Sequence, residues 1–216
     1  MSALRFVVYS DYLCPWCFNA AVRLRRVRDE LDGALTLDWR SYLLRPHADP
    51  NRTLERFRAY TQSWLRPAAE PDAGTFQVWQ SDAGPPSQSL PPHLVAKAAK
   101  RLGDDAFDRI HQALLRAYFT DNRDITDPAT LRAIWSEVGL PGAALAAADD
   151  PAIARQVVDE HNEAIQLGLT GVPAVRAAGS DVPVLGCQPL ETYRRWARKL
   201  LSAAEQRIKE TTDEHR

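Results

Sequence analysis

The chain has 216 residues, 45% hydrophobic and 25% charged, which is ordinary for a globular protein with one large domain, or one domain with an insertion. Lys and Arg total 27 against 28 Asp and Glu, and the net charge of −1 gives no support to a nucleic-acid or anionic-membrane partner. Three cysteines are too few for a disulfide-stapled secreted scaffold, and no stretch approaches the ~18 apolar residues of a membrane span.

In chain order, "MSALRFVVYS" has too short an apolar run for a signal peptide, so a cytoplasmic protein is expected. Residues 4–10 read as a short buried strand. Pro15 suits the first position of a helix; Ala20, Leu24, Val27 and Leu31 follow at helical spacing, and Gly33 ends the run. Residues 34–44 alternate, with Leu35, Leu37, Trp39, Ser41 and Leu43 on one face, as a half-buried strand does. Strand, helix and strand together make a parallel βαβ unit.

From residue 50 to 150 the strand signal vanishes. Helices are expected over 53–65, 93–102, 105–119 and 127–139, the last capped by Asp127 with Pro128 behind it, and a short one over 143–148. The segments 67–74 and 82–92 read as loops by their Pro, Gly and Ser content. A long helix follows over 151–168. Two short strands, 171–179 and 181–187, meet at a Gly179-Ser180-Asp181 turn, and a helix over 189–206 precedes an end at 209–216 that is expected to fray. Two basic runs, Arg23, Arg25, Arg26 and Arg28, and Arg194, Arg195, Arg198 and Lys199, are expected on solvated helix faces. Neither half has strands enough for a sheet of its own, so the final hairpin is expected beside the first βαβ unit, with the helical block outside.

The chemistry centres on "DYLCPWCFNA", residues 11–20. Cys14 and Cys17 could be a redox pair, half of a metal site, or two core thiols. A zinc site needs two further ligands at close spacing; Cys187 stands alone, and His47, His93, His111, His161 and His215 show no such pairing. If Cys14 lies just before the helix that starts at Pro15, unpaired first-turn N–H groups and the helix dipole favour its thiolate, the form that attacks disulfides. Cys17, nearly one turn on, is then held beside it. Pro15 and Trp16 set the backbone and shield the site. Asp11 caps the turn or takes protons from the site. By ordinary frequencies the Val172–Pro173 bond is trans.

"CPWC" at 14–17, "AYFTDNRDITD" at 117–127, "TGVPA" at 170–174 and "GCQP" at 186–189 resemble the DsbA-like thioredoxin-fold family. The FrnE-type branch is the nearest match; it is itself related to 2-hydroxychromene-2-carboxylate isomerases and kappa-class glutathione transferases. The resemblance implies an α/β thioredoxin fold over residues 1–48 and 151–216 with a large all-α insertion, 49–150. It implies Cys14 as nucleophile, Cys17 as resolving thiol, a cis Pro173, and a Val172 backbone that pairs with an extended substrate peptide. It departs from the isomerase and transferase branches, which carry serine in place of the cysteine pair. No cysteine follows Cys187, which is expected to be a structural thiol.

The function implied is thiol–disulfide exchange with protein or small-molecule thiols and disulfides, with no metal or prosthetic group and with glutathione as a candidate co-substrate. A glutathione-dependent isomerase or transferase, and a redox-sensitive chaperone without turnover, are the alternatives. His47 is expected in a surface loop, and Trp64, Trp79, Trp135 and Trp196 in core or interdomain packing. Oligomeric state is not legible, and a dimer stays open.

Overall fold

A computed structural model describes residues 3–213. The first elements are β1 (Leu4–Ser10), α1 (Pro15–Glu30) and β2 (Leu35–Ser41). The helical block follows as α2 (Leu54–Thr61), a 3-10 turn (Gln62–Trp64), α3 (Leu65–Ala68), α4 (Leu90–Lys100), α5 (Asp104–Phe119), α6 (Pro128–Glu137) and a second 3-10 segment (Gly142–Asp149). The chain closes with α7 (Pro151–Gln166), β3 (Ala174–Ala177), β4 (Val184–Leu185) and α8 (Leu190–Asp213).

One four-stranded sheet has the order β2-β1-β3-β4. β1 runs parallel to β2, from Leu4 opposite Leu35 to Ser10 opposite Ser41, and antiparallel to β3, with Tyr9 opposite Ala174. The late hairpin thus docks beside the early βαβ unit, as the element order suggested. β1 carries the apolar run Phe6–Tyr9 because both faces are covered there. Phe6 and Val8 share a core with Leu24 of α1 and Tyr193 of α8, while Val7 and Tyr9 pack with Tyr42, Ala164 and Leu169 on the other side. The first of these cores continues into the helical block through Ile110, Leu114 and Trp135. Phe57, Trp64, Trp79 and Tyr118 meet there at ring-centroid distances of 5.0 to 6.3 Å. Trp196 is half-buried and stacks on Phe6 at 4.3 Å.

Several boundaries move for identifiable reasons. β2 stops at Ser41, because β1 ends at the paired Ser10 and the amides of Leu43 and Leu44 go instead to His161 Nδ1 and Asp11 Oδ2. α4 starts at Leu90, since Pro91 and Pro92 occupy a first turn where a missing N–H costs nothing. The helix expected over 53–65 is interrupted by a 3-10 turn, and the one expected over 143–148 is 3-10 throughout. β4 shrinks to two residues after Pro183. α8 stays helical to Asp213, and the rest of the end expected to fray, 214–216, lies outside the described residues.

The arginine run on α1 is the clearest correction. Arg26 is exposed, but Arg23 and Arg25 are 2% and 7% exposed. Arg23 donates to the Gln188 and Pro71 carbonyls at 2.9 and 2.6 Å and lies 3.5 Å from Glu70. Arg25 reaches His111 Nδ1 at 2.6 Å and sits 5.4 Å from the Trp39 ring centre. A guanidinium can be buried when carbonyls, a carboxylate and an aromatic face receive it, and composition alone does not register those partners.

Candidate active site

α1 begins where the sequence placed it. Cys14 is the N-cap with extended backbone (φ −96°, ψ 113°), and Pro15 is the first helical residue. The Cys14 carbonyl accepts the Cys17 and Phe18 amides at 3.0 and 3.2 Å, and the Cys17 N–H also lies 3.4 Å from Cys14 Sγ. The Cys14 thiol donates to the Val172 carbonyl at 3.4 Å. The Val172–Pro173 bond is cis, as the resemblance implied. The Pro173 carbonyl accepts the Gly186 amide at 2.8 Å, so the hairpin holds this loop over α1.

Both thiols are free, and both are covered: Cys14 is 5% exposed and Cys17 fully buried. Burial pushes the Cys17 thiol well above its ordinary value, and the neighbouring Cys14 sulfur adds to this. The Asp11 amide and the Ser10 hydroxyl act the other way. Cys17 therefore carries its proton at rest.

Pro15 and Trp16 are half-buried beside the pair, and the Arg66 guanidinium of α3 lies 5.8 Å from the Trp16 ring centre. Asn19 of α1 donates to the Pro67 carbonyl at 2.8 Å and accepts the Gly74 amide at 2.9 Å, tying the helical block to the same helix. Cys187 is half-buried, receives Arg23 Nη1 at 3.2 Å, and has its pKa pushed up to about 11 by burial. That is the environment of a packed thiol rather than an attacking one.

Asp11 does more than cap a turn. It is fully buried; Oδ1 accepts the Leu13 amide at 2.6 Å and Oδ2 the Leu44 amide at 2.8 Å. Its backbone carbonyl accepts the Cys14 amide at 3.2 Å. Burial raises its pKa to about 6, against the hydrogen bonds from Ser89, Leu13 and Leu44. His47 is exposed and makes no part of the site.

Sequence reasoning missed a second polar cluster, where α4, α5 and α7 meet β2. Lys97 of α4 and Glu160 of α7 pair at 2.7 Å in the interior, with Lys97 also donating to the Trp39 carbonyl and Glu160 accepting the Ser41 amide. His93 and His111 flank Tyr12 at ring distances of 4.8 and 5.2 Å. One signal was available: Glu160 continues the buried stripe Ile153, Val157, Ala164 at helical spacing.

Among the described residues no group of three or more His, Cys, Asp or Glu side chains is arranged to hold a metal, and no helix is long and apolar enough to cross a membrane. The fold is shared with solved structures of low sequence identity. A candidate protein disulfide isomerase from Nitrosomonas europaea superposes with a TM-score of 0.78 at 17% identity, covering 94% of this chain and 99% of that one. Cytosolic disulfide reductase DsbM from Pseudomonas aeruginosa gives 0.75 at 19%, covering 93% and 100%. A probable DsbA oxidoreductase from Streptomyces coelicolor gives 0.73 at 24%, covering 92% and 90%. A comparison with curated proteins gives no match. The sequence pattern of the DSBA-like thioredoxin domain matches residues 5–196, a span that includes the cysteine pair and the cis-proline loop, and the chain belongs to that family.

Proposed function

We propose that the protein is a cytoplasmic thiol–disulfide oxidoreductase of the FrnE-type branch, working through the Cys14–Cys17 dithiol. The observation that carries this reading is the placement of Cys14 Sγ, at a helix N-cap, 3.4 Å from the Cys17 amide and 3.4 Å from the carbonyl beside a cis proline. Cys14 attacks a substrate disulfide and forms a mixed disulfide, with one substrate sulfur leaving as a thiolate. Cys17 then loses its proton and attacks Cys14 Sγ, which releases the second substrate thiolate and leaves a Cys14–Cys17 disulfide. The reverse sequence oxidises a substrate dithiol. Val172 offers its backbone to an extended substrate, with Pro15 and Trp16 on the rim.

Glutathione is the small-molecule co-substrate in this reading. Supporting it, DsbM has also been solved with GSH, and that structure superposes with a TM-score of 0.74 at 18% identity. No metal or prosthetic group takes part.

Insulin reduction and dithiol oxidation test the proposal. Cys14→Ser is expected to abolish both, and Cys17→Ala to accumulate a mixed disulfide visible by mass spectrometry. Full turnover in Cys14→Ser would sink it. Turnover of a small electrophile with glutathione that survives Cys17→Ala would favour the isomerase or transferase reading.

A further inference from the structure

Trp16 stands between the two cysteines, and Arg66 of α3 stands over it, with the guanidinium carbon 5.8 Å from the ring centre. Other bonds hold the two elements in this relation. Asn19 of α1 donates to the carbonyl of Pro67, the residue after Arg66, and accepts the Gly74 amide. An aromatic face attracts a guanidinium without using its N–H donors. Arg66 is exposed, and among the described residues its guanidinium makes no hydrogen bond and no ion pair. Arg23, Arg26 and Arg28 of α1 differ: each is engaged by a carbonyl or a carboxylate.

The charge around the site is one-sided. The first turn of α1 carries no acidic residue, and its dipole adds positive potential at that end. Asp11 is buried with both oxygens taken by amides, and Glu70 lies 3.5 Å from Arg23. Arg45 follows Leu44, whose amide donates to Asp11, and among the described residues the Arg45 guanidinium also makes no hydrogen bond or ion pair. The chain as a whole has a net charge of −1, so this positive field is local. A cleft lined by one sign of charge raises the local concentration of reactants of the other sign. Cys14 is 5% exposed, so a reactant that reaches its sulfur must also be slim.

We propose that Arg66 is a specificity-determining residue, and that the site takes small disulfides carrying a carboxylate a few bonds from the sulfur. The inference rests on the dithiol reading above and names its substrate class. The Cys14 thiolate attacks one substrate sulfur. The Cys14–sulfur bond forms as the substrate S–S bond breaks, and the other half leaves with the electron pair as a thiolate. Arg66 holds a substrate carboxylate above Trp16 during this step and offsets its repulsion by the attacking thiolate. It exchanges no proton and forms no bond to sulfur.

The test uses three aliphatic disulfides of similar size: the dianion 3,3′-dithiodipropionate, neutral bis(2-hydroxyethyl) disulfide and the dication cystamine. Consumption of the dithiol in the reduced full chain is timed at pH 7 by acid quenching, alkylation and mass spectrometry. Each rate is divided by that of free mercaptoethanol with the same disulfide, which removes intrinsic reactivity. The wild type is expected to favour the dianion over the neutral disulfide by about threefold or more, the scale of an exposed ion pair, with cystamine slowest. Arg66→Gln is expected to remove the preference and leave the neutral disulfide within about twofold, since an exposed ion pair is its only loss. Arg66→Lys should keep most of the preference, Arg66→Glu should reverse it, and 0.5 M NaCl should shrink it in the wild type. A wild type indifferent to charge, or a preference that survives Arg66→Gln, overturns the proposal. Equal slowing of all three disulfides in Arg66→Gln also overturns it, and would mark Arg66 as a packing partner of Trp16. A wild type that reacts with none of the three would instead overturn the dithiol reading itself.

Discussion

Lys97 Nζ and Glu160 Oε1 lie 2.7 Å apart with side chains 7% and 5% exposed, so each charge depends on the other. Burial lowers the Lys97 pKa, and Glu160 restores part of it. Removing one partner strands the other charge in the interior, at a cost of about 3–5 kcal/mol. Lys97→Met is therefore expected to destabilise the protein by about that amount. Lys97→Met with Glu160→Gln, which retains an acceptor for the Ser41 amide, is expected to recover most of the loss. Urea unfolding of the three proteins at pH 7 measures both; equal stability of the single and double variants would contradict the account.

Asp11 gives stability a pH signature. Its pKa rises from 3.8 to about 6 on folding because burial penalises the carboxylate. Between those values the folded protein binds more protons than the unfolded chain, so this group's contribution falls as pH rises through the window and levels off above it. At ~1.4 kcal/mol per pH unit the total is about 3 kcal/mol. The stability difference between wild type and Asp11→Asn should change by about that amount from pH 4 to pH 7. A difference that stays flat would mean the carboxylate is not strained by burial.

Gly74 abuts the residue that follows Cys17. A Cβ at position 74 would lie 2.5 Å from the Phe18 ring, which is itself held between Phe76 and Phe119 at centroid distances of 5.3 and 5.5 Å. Gly74→Ala is expected to cost about 1–3 kcal/mol through displacement of that ring. Thermal unfolding reads the cost; an unchanged midpoint would show that Phe18 yields freely.

Position and surroundings distinguish the thiols. Cys17 is fully buried and raised in pKa, Cys187 is half-buried with a pKa of about 11, and Cys14 is the one whose sulfur borders the cis-proline loop. Iodoacetamide on the reduced native protein is expected to label Cys14 first, with Cys187 and Cys17 protected until unfolding. Peptide mapping that finds Cys17 labelled first would reject the ranking.

The parts of the fold written in local pattern were legible. The unbroken apolar run of β1, the alternation of β2, Pro15 at the helix start and Asp127 at the cap all depend on neighbours within a few residues. The cysteine pair was legible for the same reason. What escaped was set by partners distant in sequence: Arg23 meets Gln188 across 165 residues, and Ser41 meets Glu160 across 119. A charged residue reads as solvated until its buried partner is known. Pro173 at the start of a strand only hints at the cis bond, and the family resemblance decided it, because ordinary frequencies favour trans.

The carbonyl that contacts Cys14 belongs to a residue 158 positions later. At a synthesis rate of about 5–20 residues per second, the ribosome makes the dithiol roughly eight to thirty seconds before its cover. The emerging polypeptide therefore passes through an interval in which neither sulfur is shielded by the hairpin. Stalled nascent chains ending near residue 165 should accept alkylating reagent at Cys17, whereas released chains should not. The order of translation thus gives the cell's oxidants their earliest access to this pair before the protein can choose its own partner.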